Sequence, residues 1–599
     1  MCGVFFTNSI NNCEHKLISP SLLARGPDQA TVLSKDDYLV QFTRLSIRDI
    51  SGGDQPYLNQ EKSHIAAING ELYNENFIKN RLNLDKNIKP SGDMQVLAEF
   101  LIQDIRNLRY VQGMFAGFIY NSHKKTIVLF RDPVGEKPLY YCISNGNITI
   151  SSTITAITEH LSSHNFQLNT HDLFKGHNSP GETFYSKIQE VLPGHYLEFN
   201  LELHDLKNVK YYQWPSRNID ENTNSNLNSR FAQHLLDAVK ATSISEVPIC
   251  MLLSGGLDSA SILAALNASE SKAIPAFTVK FENQTYDESA LAQLSAKSLG
   301  SNHTIITISN QEFAESISEI LESLDSPILD PAYLPTYLIA KKIKNRYGFK
   351  VAITGDGGDE LFRGYELYRI RKKVNAVNKF HMDLFLIPAI RLFNSLNLGS
   401  NRRNSLKFML DRLCTVLEHT NIPWNETALS PFAGTELFPL LAPTKINSHL
   451  TKSRQITQSD IENYYHNEIL PQVYLKKSDN GSMSNGLELR APFLHKSMLE
   501  FAYTISEKNL ESQPHKWLLR EYLIGKVPDK ILYQSKRGFS VPLCGIIANI
   551  KKPIWSLEKI NLTPNVCDSV WDKGCSGDAN AARASYAIMI LNYYMQKYA

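Results

Sequence analysis

The sequence predicts two structural units of different classes, an α+β unit at the N-terminus followed by an α/β unit with a mainly helical C-terminal part. Two observations predict this division. The first 200 residues mix short apolar strands, turns and helices, whereas the chain after the polar stretch 216–226 alternates strands with helices. Strands that alternate with helices are typical of a parallel sheet covered by helices.

Strands of the N-terminal unit are predicted at 38–42, 64–68 and 126–130. The segment 208–228, rich in Asn, Asp, Ser and Thr, is the predicted linker. We therefore place a first domain at 1–207 and a second at 229–599. Beyond about residue 375 the apolar spacing is mainly helical.

Composition excludes several classes of protein. The 599 residues include 62 Lys and Arg against 60 Asp and Glu, a formal net charge of +2. Such a chain is not built to coat nucleic acid or an anionic membrane. No apolar run is long enough to span a bilayer, and the eight cysteines form no Cys-x-x-Cys pair. With no signal peptide, we expect a cytoplasmic protein without nucleic-acid or membrane partners.

The sharpest local pattern is Leu252-Leu-Ser-Gly-Gly-Leu-Asp-Ser259, in which an apolar strand passes through two glycines directly into a helix. Glycines let the backbone approach an anion, and free amides at a helix N-terminus attract negative charge. The acidic Asp258 suits a phosphate site if Mg²⁺ lies between its carboxylate and the phosphate. A tight turn without a ligand is the alternative for this segment alone.

A second strand and acidic turn follow at Lys350-Val-Ala-Ile-Thr-Gly-Asp-Gly-Gly-Asp-Glu360. Two such turns at the ends of parallel strands would face one nucleotide-binding crevice. Asp258 and Asp359 are then predicted to share a metal, with Asp356 near the reacting centre. Lys536 offers a cation for a pyrophosphate leaving group, although a Lys-Arg pair of this kind is more often simply solvated.

Cys2 is notable for its position directly after Met1. Removal of Met1 would leave a thiol and a free α-amine on the same residue. An amine with a pKa of about 8 can serve as the base for its own thiol, so this nucleophile needs no histidine. The alternative is a buried strand cysteine without a chemical role.

Together these residues resemble the glutamine-dependent asparagine synthetase family over nearly the whole chain. The resemblance implies an N-terminal-nucleophile αββα sandwich, acting as a glutaminase. It also implies an ATP-pyrophosphatase (PP-loop) domain with a parallel sheet and a helical C-terminal part. The implied class is α/β plus α+β.

For the glutaminase domain, the resemblance implies that Cys2 attacks the glutamine amide and that Asn69 and Gly70 form the oxyanion hole. Arg44 would take the glutamine carboxylate and Asp93 its ammonium. The full implied glutamine-binding set is Arg44, Leu45, Ile47, Asn69, Gly70, Glu71 and Asp93.

For the synthetase domain, the resemblance implies Mg²⁺ at Asp258 and Asp359, and catalytic roles for Asp356 and Lys536 at the acyl-adenylate. The implied ATP-binding residues are Leu253, Ser254, Gly255, Gly256, Asp258, Ser259, Val279, Thr354 and Gly355.

The implied reaction has two halves. Cys2 releases ammonia from glutamine through a thioester, while ATP adenylates a carboxylate and pyrophosphate leaves. Because free ammonia is mostly protonated in water, we expect an internal passage and a domain interface lined by small and apolar groups. The expected partners are glutamine, ATP and a carboxylate acceptor, with L-aspartate as the first candidate. Homologues often form homodimers, but no patch in the sequence argues for one independently.

Several departures leave the acceptor open. His495 stands where the family usually has Asp, Arg363 stands at a glycine position, and Ser152-Thr153 lacks the acidic residue that is common after the serine pair. The basic stretch 372–403 favours a solvated helical face over a docking surface for an acidic partner. A pathway-specific amidotransferase acting on a sugar acid or a carrier-bound intermediate is the main alternative. An inactive glutamine or ATP sensor is disfavoured because both sites keep their chemical groups.

Overall fold

The structure is a computed structural model. It describes residues 2–9, 17–35, 37–82, 91–161, 167–217, 226–270, 273–282, 287–379, 383–395, 405–419, 422–442, 457–534 and 541–597.

The described N-terminal part carries strands β1 (Cys2–Thr7), β2 (Gln29–Lys35), β3 (Tyr38–Arg44), β4 (Tyr57–Leu58), β5 (His64–Leu72), β6 (Gly113–Asn121), β7 (Thr126–Arg131), β8 (Tyr140–Ser144), β9 (Asn147–Ser151), β10 (Gln189–Glu190), β11 (His195–Asn200) and β12 (Asp205–Lys210). They form two antiparallel sheets, ordered β10-β8-β9-β1-β3-β2 and β12-β11-β7-β6-β5-β4.

The second part carries β13 (Ile249–Leu252), β14 (Ala276–Phe281), β15 (His303–Ile308), β16 (Val351–Ile353) and β17 (Glu488–Arg490). These strands form one parallel sheet in the order β15-β14-β13-β16-β17. The chain leaves β13 toward β14 on one side, and β16 later pairs on the other side. The gap between the ends of β13 and β16 is therefore the switch point at which such sheets bind ligands.

The helices of the described residues are α1 (Pro20–Arg25), α2 (Glu75–Arg81), α3 (Asp93–Gln103), α4 (Ile154–Leu161), α5 (Leu227–Thr242), α6 (Leu257–Ser269), α7 (Ser289–Ser298), α8 (Asn310–Glu315), α9 (Ile317–Ser323), α10 (Tyr333–Lys342), α11 (Gly358–Leu361), α12 (Glu366–Lys379), α13 (Asp383–Ser395), α14 (Leu406–Glu418), α15 (Trp424–Leu429), α16 (Phe438–Leu441), α17 (Gln458–Tyr464), α18 (Lys476–Met483), α19 (Lys496–Tyr503), α20 (Glu507–Ser512), α21 (Trp517–Leu523), α22 (Asp529–Leu532), α23 (Leu543–Asn549), α24 (Pro564–Cys575) and α25 (Ala579–Lys597). None of them is both long and apolar enough to cross a membrane.

Apolar packing produces the four layers of the N-terminal domain. Phe6 and Phe42 of one sheet share a buried cluster with Phe118 and Leu129 of the other. A further cluster joins the outer face of the second sheet to α2 and α3, and a smaller one joins the outer face of the first sheet to α1 and α4. The αββα sandwich, the parallel sheet and the helical C-terminal part confirm the predicted fold class.

Candidate active sites

Cys2 begins β1 and is buried at the side of Asn69. Its backbone N–H donates to Asn69 Oδ1 at 2.8 Å, and the partner strand places Arg44 opposite it. Burial raises the pKa of the Cys2 thiol, while a backbone hydrogen bond from Leu45 and the charge of Arg44 act against the rise. A thiol in this environment is mainly protonated, so nucleophilic attack requires a base.

Among the described residues, the side-chain amide of Asn69 forms a hydrogen bond through its oxygen and not through its nitrogen. Its Oδ1 accepts from Cys2, whereas the buried Nδ2 has no hydrogen-bond partner among the described residues. A buried donor without a partner is costly, and beside the thiol this N–H can donate to an oxygen of a bound molecule. At Gly70 a side chain would collide with the backbone of Met114 and Phe115 on β6, so only glycine fits there.

Arg44 lies beside Cys2, but its guanidinium is bonded to residues of the loop that follows β3. It donates to the Asp49 carbonyl at 2.6 Å and to the Arg48 carbonyl at 3.2 Å, and it pairs with Asp54 at 3.2 Å. A bidentate bond from Arg44 to a substrate carboxylate is therefore not preformed and requires some of these bonds to exchange. Leu45 and Ile47, the two predicted glutamine-binding residues that follow Arg44, are buried.

Asp93 begins α3 and accepts the Leu72 N–H at 2.9 Å. Burial raises its pKa to about 6, and Arg48, whose Nη1 lies 3.7 Å from Asp93 Oδ2, acts against that rise. Arg48 also pairs with Glu75. The sequence analysis did not identify Arg48, although it directly follows Ile47 of the predicted glutamine-binding set.

Glu71 forms an ion pair with a residue of the synthetase domain. Its Oε1 lies 3.1 Å from Arg490 Nη2, and both side chains are buried. Burial raises the pKa of Glu71, whereas the charge of Arg490 lowers it and so favours the ionised carboxylate in this pair. The predicted glutamine-binding set is therefore closed on one side by the parallel-sheet domain.

The two glycine-rich turns of the synthetase domain are in direct contact. β13 and β16 are adjacent, with Met251 paired to Ile353, and each strand leads into one of the turns. A side chain at Gly355 would crowd Ser259 and Asp258, and one at Gly358 would collide with Asp258. Ser254 and Ser259 close the first turn with a 3.0 Å contact between their hydroxyl oxygens. Close approach, as well as turn geometry, accounts for these glycines.

Lys516 joins Asp258 to Asp359. Its Nζ lies 2.5 Å from Asp258 Oδ2 and 2.5 Å from Asp359 Oδ1, and its ammonium is buried. The two carboxylates hold the pKa of Lys516 above its ordinary value, against the effect of burial. No local pattern in the sequence singled out Lys516. Because both carboxylates converge on one cation, the donor set also fits Mg²⁺, which prefers oxygen ligands.

The other predicted synthetase residues lie around the same crevice. Asp356 accepts from the Thr354 hydroxyl at 3.1 Å, and the Leu253 carbonyl accepts from Thr278 at 2.6 Å. Val279 is half-buried on β14, one strand away. Lys536 lies outside the described residues. Gln534, just before that gap, donates to the carbonyl of Gly255 in the first turn.

Helix α18 connects the two centres. Asp479 forms a buried pair with Arg25 at 2.8 Å, and Arg25 Nε donates to the Cys2 carbonyl at 3.3 Å. The preceding residue, Ser478, has its hydroxyl 3.5 Å from Asp356. Apolar side chains of both domains share a buried cluster, as Leu45 and Ile47 do with Met483, and the contacts of α18 with Arg25 add ionic pairs to this interface. Mutual pairing offsets the desolvation of the charges, so they are tolerated there.

The departures from the family pattern have structural explanations. His495 caps α19 by accepting from Ser497, as an Asp would, and burial lowers its pKa to about 4. At Thr153, where the acidic residue is missing, Asp325 of the other domain accepts the following Ile154 and Thr155 N–H groups, each at 2.8 Å. Arg363 adopts a left-handed backbone with φ of 52° and pairs with Glu462 and Glu507.

The described part of the basic stretch is bonded to acids of its own chain. Lys372 pairs with Glu511 at 3.5 Å, and Arg391 pairs with Glu418 at 2.7 Å. These pairs are partly exposed, as expected for a solvated helical face.

Comparison with known proteins identifies both domains. Residues 230–560 match the family described as asparagine synthase, and residues 1–212 match the glutamine amidotransferase domain. The chain is 28% identical over 542 residues to a glutamine-hydrolysing asparagine synthetase 1 of Bacillus subtilis, covering 88% of this chain and 84% of that protein.

Two further relatives differ in name. Asparagine synthetase B of Escherichia coli is 27% identical over 417 residues, 66% of this chain and 70% of that protein. The amidase chyE of Penicillium rubens is 24% identical over 576 residues, 86% of this chain and 83% of that protein. The family match covers more than half of the chain. The chain therefore belongs to the asparagine synthase family and is an ATP-dependent, glutamine-hydrolysing ligase.

Proposed function

We propose that the chain converts L-aspartate, ATP and glutamine into L-asparagine, AMP, pyrophosphate and glutamate. The observation that carries this proposal is the connection through α18, where Asp479 reaches Arg25 beside Cys2 and the neighbouring Ser478 reaches Asp356. A shared helix between the two centres suits an enzyme in which ammonia made at one centre is consumed at the other.

In the first half-reaction, the Cys2 sulfur attacks the amide carbon of glutamine. The thiol proton passes to the α-amine that removal of Met1 would expose and from there to the amide nitrogen, which leaves as ammonia. The negative oxygen of the intermediate is stabilised by Asn69 Nδ2 and the Gly70 N–H. The buried Nδ2 without a partner among the described residues supports this assignment. Water then releases glutamate from the thioester.

In the second half-reaction, a carboxylate oxygen of the acceptor attacks the α-phosphorus of ATP, and pyrophosphate leaves. Ammonia attacks the activated carbonyl carbon, AMP leaves, and Asp356 would accept the proton that the attacking nitrogen loses. Asp258 and Asp359 would hold Mg²⁺, which when bound neutralises phosphate charge. The convergence of both carboxylates on Lys516 supports this pairing. Lys536 is proposed as the cation at the adenylate from its motif alone.

A second candidate acceptor is a different carboxylate. Two observations favour keeping it: a relative named an amidase covers 86% of the chain, and Arg363 replaces a glycine directly after the acidic turn. A side chain at Gly364 would collide with Asp359 and Lys516, so this part of the chain borders the synthetase centre.

Pyrophosphate release separates the two candidates. The purified protein is supplied with glutamine, ATP and Mg²⁺ while the carboxylate is varied among L-aspartate, L-glutamate, uronic acids and a thioester-bound acid. We expect release above background with L-aspartate. No release with L-aspartate but clear release with another acid would replace aspartate with that acid and leave the two-site chemistry intact.

A further inference from the structure

Arg490 ends β17 in the synthetase sheet, yet its side chain reaches the glutaminase domain. The guanidinium lies 3.1 Å from Glu71 and 2.5 Å from Glu488. It also donates to the backbone carbonyls of Thr242 at 3.0 Å and Ile244 at 2.6 Å, at the end of α5. With 1% of its surface exposed, this side chain is fixed by three hydrogen-bond acceptors, the Glu488 carboxylate and the two carbonyls, and by its ion pair with Glu71.

The backbone of the same residue holds the nucleotide turn. The Arg490 carbonyl accepts the Thr354 N–H at 2.8 Å, and Arg490 is paired with Ile353 in the parallel register. Thr354 is the first residue of the acidic turn that contains Asp356 and Asp359. Arg490 therefore contacts the turn at Thr354 through its main chain and Glu71 of the predicted glutamine-binding set through its side chain.

The charges beside Arg490 act on the glutaminase centre. Glu71 lies two residues after Asn69 on β5, so both side chains point to the same face of that strand. The charge of Glu488, the other partner of Arg490, raises the pKa of the Cys2 thiol. A movement of the Arg490 guanidinium would therefore change both the electrostatic potential at Cys2 and the position of Glu71.

We propose that Arg490 is a positioning residue that transmits occupancy of the nucleotide crevice to the glutamine pocket, so that glutamine hydrolysis depends on bound nucleotide. This inference rests on the proposed roles of the Thr354 turn and of Glu71. The physical basis is the short path from Thr354 N to Arg490 O to the guanidinium, because a buried guanidinium with three hydrogen bonds and one ion pair moves as a unit with its strand.

The test is glutamate release from glutamine, with and without α,β-methylene-ATP and Mg²⁺. This analogue cannot be cleaved between its α and β phosphates, so the result does not depend on the identity of the acceptor. We expect the analogue to change kcat/KM for glutamine by about fivefold or more in the unaltered protein. In R490K, which keeps the charge but loses the planar fork, we expect the ratio to fall to about one.

Two further variants separate coupling from simple damage. K496M removes another bond between the domains, from Lys496 to the Arg109 carbonyl, and should keep the full response to the analogue. E71Q removes the charged partner of Arg490 and should lose the response whatever its basal rate is, which keeps the test valid if R490K does not fold.

An unaltered protein that does not respond to the analogue would overturn the inference, as would an R490K or E71Q protein that responds fully. Pyrophosphate release with a carboxylate acceptor is measured in parallel. Its absence would count against the proposed function, and it would not bear on the coupling ratio.

Discussion

Lys516 Nζ lies 2.5 Å from Asp258 Oδ2, although the two residues are 258 positions apart. The same ammonium lies 2.5 Å from Asp359, so one cation lies between the two carboxylates that we propose as metal ligands. Two carboxylates this close repel each other unless a cation lies between them. Lys516 thus offsets the mutual repulsion of these two carboxylates.

Replacing Lys516 by Met leaves this buried carboxylate pair without its cation. We expect the K516M protein to lose about 3–5 kcal/mol of unfolding free energy, measured by urea denaturation. Added Mg²⁺ should restore part of this loss in K516M. K477M is the matched control, because Lys477 pairs with Asp330 at 3.7 Å, and it should show no Mg²⁺-dependent recovery. Equal effects of Mg²⁺ on both variants would contradict the proposed metal pair.

Replacing Cys2 by Ala separates the two half-reactions. The C2A protein lacks the sulfur that attacks glutamine, so glutamine-driven amide formation should fall to background. Ammonia-driven formation should stay close to that of the unaltered protein, because Cys2 does not contact the nucleotide crevice. Product is quantified with each nitrogen source under the same conditions. Glutamine use retained by C2A would refute Cys2 as the nucleophile.

Asp93 predicts a pH dependence of glutamine binding. Its pKa is raised to about 6, so the carboxylate is ionised above that value and protonated below it. Only the ionised form attracts the glutamine ammonium, and KM for glutamine should therefore rise as the pH falls through about 6. D93N should show a high KM with little pH dependence. A KM in the unaltered protein that does not change between about pH 5 and pH 8 would contradict the role of Asp93.

Arg363 allows backbone strain to be separated from its ion pairs. Its φ of 52° suits glycine better than any residue with a side chain, and its guanidinium pairs with Glu462 and Glu507. Both R363A and R363G lose the ion pairs and should be less stable than the unaltered protein. R363G should be more stable than R363A by about 1 kcal/mol, because glycine removes the strain. Urea unfolding of the two variants gives this difference, and equal stability would contradict a strained backbone.

Local sequence patterns predicted the elements that carry the sites, and the family resemblance supplied which residues belong together. The two strand-and-turn segments around Ser254 and Thr354 are adjacent, as parallel strands with glycine-rich ends predict. The sequence analysis did not identify residues that complete a site from a distant part of the chain. Lys516 and Asp325 act through contacts with another part of the chain, and such contacts leave no period or motif in the sequence around them.

The most direct test of the account follows the nitrogen. The protein is given amide-¹⁵N glutamine, L-aspartate, ATP and Mg²⁺ in an excess of unlabelled ammonium, and the amide product is analysed by mass spectrometry. Since α18 connects the two centres, we expect asparagine that carries mainly ¹⁵N, together with equal amounts of glutamate and AMP. Asparagine carrying mainly unlabelled nitrogen, or glutamate and AMP formed without any asparagine, would contradict the transfer of ammonia from the Cys2 centre to aspartate.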